Sequence, residues 1–403
     1  MCPQEQRENP PVKAGSRRHG TAAVRPFTRV IGATVVALAL ALSGCSVGSK
    51  ATTGEQKAGV ANLQPLSSLD TLSNPRNHFG ESTATTAQTS ITPIENDPQQ
   101  QLPATVTDTQ GASVTVTDTS RILALDLYGS LAATVFGLGL GDRVVGRDVS
   151  TGFPEAADLP LVTQNGHELN GEAILDLAPT VIVTDTTLGP WDTLMQMKDA
   201  GIPVVFVDSE RNMGNVSEIV MQVASALGVP ETGHRLSDRL SAEIAAKTQE
   251  VAAIRPQNEA DRVRMVFLYV RGNAGIYYMF GEGSGVDSLI DALGGVDVAR
   301  EVGWKGMKPI NAEALVQMKP DLILMMTKGL ESVGGVDGLL ERVPAVANTP
   351  AGQNRRVVDM SDTEIMSYGP RTADVLDALA RAVYAPDASP AAGASDGSSR
   401  RDG

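Results

Sequence analysis

Cysteine, histidine and aromatic residues are scarce in this chain of 403 residues. Its two cysteines, Cys2 and Cys45, both precede the predicted globular part. We therefore expect no intramolecular disulfide and no cysteine-based metal site in the fold. Aromatic residues make up only 4% of the chain, so those beside glycine-rich turns become informative candidates for a site.

Positive charge is also in short supply, and the net charge is -14. No basic stretch occurs beyond the N-terminal region, which argues against nucleic acid as a partner because phosphate binding relies on clustered Lys and Arg. The chain has no Gly-x-Ser-x-Gly elbow between strand and helix, and no phosphate loop ending in Gly-Lys-Ser/Thr. We therefore predict that it is not an enzyme, and keep a hydrolytic or chelatase-like lipoprotein as an alternative.

An export signal is predicted over residues 1–45. Arg25 and Arg29 precede an uncharged apolar run over residues 30–42, which ends in Leu-Ser-Gly and then Cys45. This run is too short for a membrane span. Together with the two preceding arginines, it has the basic and apolar regions of a secretory signal. The ending resembles a bacterial lipobox, which implies that Cys45 is lipidated and anchors the mature protein to the extracytoplasmic face of the membrane.

The flanks of the predicted globular part are polar and lack periodicity. Residues 46–103 are rich in Ser, Thr, Gln, Asn, Gly and Pro, and we predict a disordered tether there. Residues 386–403 consist largely of Ala, Gly, Ser and Asp, and we predict a disordered tail.

Between these flanks, strand and helix patterns alternate. They predict an α/β fold with two Rossmann-like lobes, an N-terminal lobe over residues 104–228 and a C-terminal lobe over residues 263–385. Residues 229–262 have a helical apolar stripe and predict one long helix that joins the lobes. An internal repeat supports this division, since residues 172–183 resemble residues 313–324, each a helix running through a proline into a buried strand. We expect the ligand cleft to lie between the lobes.

Two polar side chains stand at the end of the first strand of the C-terminal lobe. Tyr269 and Arg271 leave that strand on the same face, because side chains alternate along a strand. The permanent charge of Arg271 favours the phenolate form of Tyr269, a hard oxygen ligand suited to Fe(III). The alternative is a half-buried strand tyrosine beside a surface arginine.

Elimination among the histidines leaves one candidate in the N-terminal lobe. His19 lies in the predicted signal, His78 in the tether, and His234 early in the joining helix. His167 lies in the loop Asn165-Gly166-His167-Glu168, before the helix of the repeated unit, where rigid elements commonly position binding residues. A surface loop histidine is the alternative.

These features resemble the helical-backbone class of substrate-binding proteins of ABC importers, which serve ferric siderophores, cobalamin and haem. The loop around His167, together with Tyr269-Val270-Arg271-Gly272, looks like the haemin-binding lipoproteins of haem-uptake systems. This resemblance implies that His167 and Tyr269 bind the iron of ferric haem axially and that Arg271 hydrogen-bonds the tyrosine. It also implies an importer permease with its ATPase, and a haem donor, as partners. A siderophore, cobalamin or other metal chelate remains the alternative ligand.

Two further sets of residues are predicted from this resemblance. Aromatic and methionine side chains near glycine-rich turns are expected to wall the haem, namely Tyr277, Tyr278, Met279, Phe280 and Trp304. Acidic residues in the loops after the repeated strands are expected to dock the permease, namely Asp192 and Glu331, with Asp185 and Asp337 as competitors.

Overall fold

The computed structural model of the protein describes residues 63–388. Cys45, the predicted signal and the tail from residue 389 lie outside the described residues. Within that range, no helix is long and apolar enough to cross a membrane. The strands are β1 (Ser82–Ala84), β2 (Ala104–Thr107), β3 (Ser113–Val116), β4 (Ile122–Leu125), β5 (Thr163–Gln164), β6 (Glu168–Leu169), β7 (Val181–Thr184), β8 (Val204–Phe206), β9 (Arg264–Arg271), β10 (Ile276–Phe280), β11 (Val296–Asp297), β12 (Met307–Pro309), β13 (Leu322–Met326) and β14 (Val357–Met360).

Helices alternate with these strands in both lobes. They are α1 (Ser130–Gly137), α2 (Gly171–Asp176), α3 (Trp191–Asp199), α4 (Val216–Ala226), α5 (Pro230–Ile254), α6 (Val286–Ala292), α7 (Val298–Glu301), α8 (Ala312–Met318), α9 (Thr327–Glu331), α10 (Gly335–Arg342), α11 (Pro344–Ala347), α12 (Pro350–Gln353) and α13 (Thr372–Tyr384). The alternation confirms the predicted α/β class.

Each lobe is built around its own sheet. The sheet of the N-terminal lobe has the order β4-β7-β8, with all strands parallel. The sheet of the C-terminal lobe has the order β1-β14-β13-β9-β10-β12, in which β1, β14, β13 and β9 run parallel while β10 and β12 are antiparallel to their neighbours. The parallel strands β4, β7 and β13 are almost wholly buried, since helices cover both faces of such sheets.

The internal repeat predicted from the sequence is a structural repeat. Asn170 caps α2 by accepting hydrogen bonds from the N–H groups of residues 172 and 173, and Asn311 caps α8 by accepting one from residue 314. Each helix then passes a residue with positive φ, Ala178 or Lys319, before a proline and a parallel strand. The same local signals therefore produce the same helix-to-strand unit in both lobes.

The helix between the lobes is α5, whose 25 residues span about 37 Å at 1.5 Å per residue. Gly228 ends the preceding helix with a φ of 71°, and Pro230 begins α5, where a missing N–H costs nothing. Leu236, Leu240 and Val251 lie on its predicted apolar stripe and are buried. Burial of each such side chain contributes about 1.5–3 kcal/mol, so the stripe fixes the helix on the core.

The segment 63–103 differs from the disordered tether predicted there. Its β1 pairs in parallel with β14, so it extends the sheet of the C-terminal lobe. Further along, the N–H groups of Ile94 and Gln101 donate to Gly137 and Gly228 of the N-terminal lobe, at 2.8 and 2.7 Å. Its apolar residues are few, but Leu66 is fully buried. Backbone pairing and isolated buried side chains order this segment, and neither is visible as periodicity.

A second difference lies between β13 and β14, where no helix was predicted. The structure has α9, α10, α11 and α12 in this stretch, each between 4 and 8 residues long. Helices this short span about two turns or less, so the sequence cannot repeat a 3.6-residue pattern within them.

Candidate functional site

A cavity of about 790 Å³ lies between the two lobes. Residues from both lobes line it, and several of them follow the carboxyl ends of parallel strands, where ligands bind in such sheets. Apolar side chains supply part of the wall, namely Leu127, Val149, Phe280, Met326 and Met366. The predicted site residues His167, Tyr269 and Arg271 all line this cavity.

Tyr269 and Arg271 form a stacked pair at the end of β9. The guanidinium carbon of Arg271 lies 4.5 Å from the centroid of the Tyr269 ring, a favourable cation–π distance. On another side, the ring of Phe280 stacks at 6.0 Å between centroids. Within the described residues, Arg271 makes no hydrogen bond to the Tyr269 hydroxyl. Its positive charge instead lies against the ring face.

Asp362 is the charged partner of Arg271. It accepts a hydrogen bond from Arg271 Nη2 through Oδ1 at 2.6 Å, and another from the backbone N–H of Lys328 through Oδ2 at 3.0 Å. Both Asp362 and Lys328 line the cavity. A carboxylate held by two donors has a fixed orientation, so Arg271 is held as well.

The N-terminal lobe contributes His167 from the tight turn between β5 and β6. Asn165 and Gly166 have φ values of 48° and 92°, and Asn165 donates a side-chain hydrogen bond to Glu168, as expected of a short hairpin turn. Partial burial lowers the pKa of His167, and the positive charge of Arg271 lowers it further, while Asp362 opposes the shift. The imidazole is therefore neutral at physiological pH and keeps a lone pair for a metal.

The donor set suits ferric iron carried by a ligand. One imidazole and one phenol oxygen face the same cavity from opposite lobes, and both are established axial ligands of haem iron. Apolar side chains around them would exclude water and cover a flat, hydrophobic ligand.

Four other predicted wall residues lie outside the cavity lining. Tyr277 and Met279 point to the opposite face of β10 from Phe280, because side chains alternate along a strand, and they belong to the core on that side together with Trp304. The indole N–H of Trp304 donates to the backbone oxygen of Met279 at 3.1 Å. Tyr278 shares the face of Tyr269 and packs in the same core cluster, but it does not line the cavity. Of the predicted walls, only Phe280 lines the cavity.

A buried charge cluster in the N-terminal lobe is centred on Arg211, which lines the cavity. Arg211 donates to Asp185 at 2.7 Å and to Asp126 at 3.3 Å, with all three side chains almost fully buried. Its Nε–H donates to the Ser130 hydroxyl at 2.9 Å. The guanidinium carbon lies 5.6 Å from the ring centroid of Tyr128, which lines the cavity. Arg211 thus connects loops that follow β4, β7 and β8.

Asp148 adds a third carboxylate to this cluster. It accepts hydrogen bonds from the N–H groups of Asp126, Ser150 and Thr151. Burial, together with the smaller effect of the nearby charge of Asp126, raises its pKa to about 7. For the same two reasons the pKa of Asp185 is raised to about 6. Two carboxylates pair with the guanidinium of Arg211 and the third lies beside Asp126, so the cluster has excess negative charge that proton uptake relieves.

Two close contacts connect the lobes beside the cavity. A Cβ atom on Gly285 of the C-terminal lobe would lie 2.1 Å from the backbone oxygen of Arg211, and one on Gly152 would lie 2.4 Å from the hydroxyl oxygen of Thr363. A hydrogen bond of 3.0 Å from the N–H of Met213 to the Ser288 hydroxyl adds to the first contact. Glycine is therefore needed at both positions for the lobes to approach this closely.

The predicted docking residues have different surroundings. Asp192 lies in the first turn of α3, Glu331 is the last residue of α9, and both are exposed. The competitor Asp185 is fully buried against Arg211, so it is removed as a surface candidate. Asp337 is exposed and forms an ion pair with Arg355 at 2.6 Å.

Asp362, Arg211, Asp126 and Asp148 were not predicted as site residues, and Asp185 was predicted only as a competitor for permease docking. A sequence signal for the aspartates was present, since Asp126 and Asp185 each directly follow a buried parallel strand and Asp362 follows β14 by two residues. The carboxyl ends of such strands meet at one edge. No comparable local signal marks Arg211.

Comparison with known proteins gives concordant results. The family described as periplasmic binding protein matches residues 126–363. A relative from Bacillus subtilis (strain 168), the uncharacterized ABC transporter substrate-binding lipoprotein YvrC, is 24% identical over 286 residues, which cover 70% of this chain and 86% of YvrC. Both are in accord with the predicted fold.

Solved structures resemble the chain more strongly. The haem-binding protein HmuT is 39% identical, with a TM-score of 0.73 over 78% of this chain and 100% of HmuT. HmuT has also been solved with alanine in place of one histidine, one tyrosine or one arginine. The periplasmic haem-binding protein RhuT from Roseiflexus sp. RS-1, in its apo form, is 36% identical, with a TM-score of 0.60 over 68% of this chain and 100% of RhuT.

These relatives confirm two predictions from the sequence, the fold of two α/β lobes and a binding role rather than an enzymatic one. They also imply an ABC permease as the partner and a location outside the cytoplasm. The family match extends over more than half of the chain and includes the cavity residues Tyr128, His167, Tyr269 and Asp362. The chain belongs to the periplasmic binding protein family.

Proposed function

We propose that this protein captures ferric haem between its two lobes and delivers it to an ABC-type import permease. The observation that carries the proposal is the shared cavity, which is lined by His167 from the N-terminal lobe and by Tyr269 from the C-terminal lobe. Iron coordination by both residues would couple ligand binding to contact between the lobes.

In this proposal each residue at the cavity has one task. The neutral imidazole of His167 binds one axial position of the iron, and the Tyr269 oxygen binds the other. Arg271 stabilises the phenolate through its positive charge. Phe280, Met326 and other apolar side chains cover the porphyrin faces and edges.

The HmuT variants support this assignment. Their substitutions affect one histidine, one tyrosine and one arginine, and the tyrosine and arginine are two positions apart in that chain. Tyr269 and Arg271 have the same spacing here. HmuT and RhuT are both described as haem-binding proteins.

We further propose that Cys45 carries a lipid that anchors the protein at the extracytoplasmic face of the membrane. The lipobox-like ending of the signal supports this, as does the description of YvrC as a lipoprotein. The proposal includes an ATPase behind the permease, an upstream haem donor, and docking through Asp192 and Glu331. Both residues are exposed and lie on different lobes.

A haemin titration tests the ligand assignment. Purified wild-type protein mixed with ferric haemin is expected to develop a defined Soret band. His167→Ala and Tyr269→Phe should each change this band, the tyrosine variant more strongly because the anionic ligand is lost while the ring remains. Tyr278→Phe is the matched control, since Tyr278 pairs with Tyr269 across the sheet but lies outside the cavity lining.

Unchanged spectra in both ligand variants would contradict the axial assignment. Parallel titrations with a ferric siderophore and with cobalamin identify the alternative ligand class. Tight binding of either, with no haemin binding, would replace haem as the proposed cargo.

A further inference from the structure

Asp362 connects three parts of the cavity wall. It follows β14, while its two oxygens accept hydrogen bonds from Arg271 at the end of β9 and from the N–H of Lys328 in α9. The side chains of Asp362 and Arg271 are only 13% and 25% exposed. At this depth a charge-assisted hydrogen bond of 2.6 Å is stronger than a solvated surface pair.

The remaining hydrogen bonds of Arg271 leave donors for a ligand oxygen. Nη1 donates to the backbone oxygen of Val270 at 3.0 Å, and Nη2 donates to Asp362 and, at 3.5 Å, to the Met326 sulfur. A guanidinium has five N–H groups. Within residues 63–388, the Nε–H and one Nη1–H of Arg271 have no such partner, so they remain free for an acceptor on a ligand in the cavity.

The charge balance also differs between the two Tyr/Arg pairs of the cavity. Arg211, beside Tyr128, is paired with two buried carboxylates, Asp126 and Asp185. Within the described residues, Arg271 is paired with Asp362 alone. Removal of this one carboxylate would leave the guanidinium both uncompensated and free to rotate away from the ring.

We propose that Asp362 is a positioning residue that holds Arg271 against Tyr269 and thereby controls the strength of the tyrosine–iron bond. The proposal rests on the proposed haem function and extends it by one residue, which acts through Arg271 and not by touching the iron. Asp362 restrains the guanidinium in one orientation and supplies a negative charge that limits its pull on the phenolate electrons.

The test has a ligand-free arm and a haemin arm. In a crystal structure of ligand-free Asp362→Ala, Arg271 is expected to leave the face of the Tyr269 ring. With ferric haemin, Asp362→Ala should shift the phenolate charge-transfer band and weaken haemin affinity about tenfold, a typical effect of removing a partner of a metal ligand. Asp362→Glu restores the carboxylate and should return the band towards the wild-type position.

A double-variant cycle separates positioning from an independent effect. Because Asp362 acts through Arg271, Asp362→Ala should change the spectrum of wild-type protein but add little to Arg271→Ala. The matched control is Asp337→Ala, which breaks an Asp–Arg pair that is also 2.6 Å long but lies outside the cavity lining. It should leave the haem spectrum unchanged.

Three results would overturn the proposal. These are a wild-type haem spectrum in Asp362→Ala, additive effects in the double variant, or an Arg271 side chain that stays on the ring in the ligand-free Asp362→Ala structure. Failure of the wild-type protein to bind haemin would instead refute the proposed function, and the ligand-free arm would still decide whether Asp362 positions Arg271.

Discussion

Arg271 lies with its guanidinium carbon 4.5 Å from the centre of the Tyr269 ring, two residues further along the same strand face. The pair follows from the two-residue period of β9, which directs both side chains into the cavity. The contact brings a permanent positive charge against the ring whose oxygen is proposed to bind iron. Its effect on that oxygen is electrostatic, and it is separable from the packing of the ring.

Replacement of Arg271 should weaken haem binding without abolishing it. Arg271→Ala removes the charge that favours the phenolate, so we expect about 10–100-fold weaker haemin binding and a shifted charge-transfer band. Arg271→Lys keeps the charge but loses the planar stacking and part of the hydrogen bonding. Its haemin affinity should therefore lie between those of the wild type and Arg271→Ala. Haemin titrations measure all three proteins. An arginine that only packs would give the lysine and alanine variants the same spectrum as wild type.

A side chain at Gly285 should destabilise the fold, because the backbone of the other lobe lies against this residue. In Gly285→Ala the new Cβ would meet the Arg211 oxygen at 2.1 Å, at a φ of 89°. Gly283 is the matched control, since its φ is 77° and no atom lies within 4 Å of its Cβ position. Urea unfolding should show a cost of about 1–2 kcal/mol for Gly283→Ala, and about 1–3 kcal/mol more for Gly285→Ala. Equal costs would mean that the lobes do not make this contact in solution.

The Asp148 cluster predicts a pH dependence of stability. The pKa of Asp148 is about 7 in the fold and about 4 in an unfolded chain. Between these values the folded state binds more protons than the unfolded state, so the free energy of unfolding falls as pH rises through this window. Asp185 contributes in the same direction.

Urea unfolding of wild type and Asp148→Asn at about pH 5 and about pH 8 measures this effect. We expect the wild type to lose more stability between the two conditions than the variant, which has no proton to exchange at this position. A steeper loss in Asp148→Asn would contradict the raised pKa.

Leu66 tests whether the segment 63–103 belongs to the folded body. It is fully buried, so Leu66→Ala should lower the free energy of unfolding by about 2–5 kcal/mol. Phe79, in the same segment, is 66% exposed, and Phe79→Ala should change stability by no more than about 0.5 kcal/mol. A disordered tether would give both variants the wild-type unfolding curve.

Docking to the permease is expected to depend on Asp192 and Glu331. Asp192→Arg and Glu331→Arg place a like charge against the expected permease arginines, at a cost of several kcal/mol in association. Haem uptake by proteoliposomes that contain the permease and its ATPase should therefore be lost, while haemin titrations stay unchanged. Asp199→Arg, at the other exposed end of α3, is the control. If Asp337→Arg lost uptake while Glu331→Arg stayed active, Asp337 would replace Glu331 as the docking residue of the C-terminal lobe.

Local signals explain what could be predicted from the sequence. The helix-to-proline-to-strand pattern of the repeat is contained in about a dozen residues. It could therefore be recognised in the sequence, and it predicted two related lobes. The face shared by Tyr269 and Arg271 needed only the strand period, and His167 remained after the other histidines were eliminated.

Long-range pairing explains what could not be predicted. Asp362 is 91 residues from Arg271 along the chain, and the two meet only because β9, β13 and β14 are neighbours in one sheet. Which face of the sheet Tyr277 and Met279 occupy depends on the register with which β10 pairs with β9. Segment 63–103 is ordered by contacts with strands and helices more than a hundred residues away, such as β14 and the end of α4.

Because the segment 63–103 is ordered, the tether between the proposed membrane anchor and the folded body is shorter than predicted. With a tether as far as residue 103, a body anchored at Cys45 would reach about 200 Å from the bilayer at full extension. Because the described fold begins at residue 63, only seventeen residues, 46–62, separate it from the proposed anchor. Whatever their conformation, these residues span at most ~60 Å. A lipidated molecule would therefore search for haem within a shallow layer and would meet the permease at a high effective concentration.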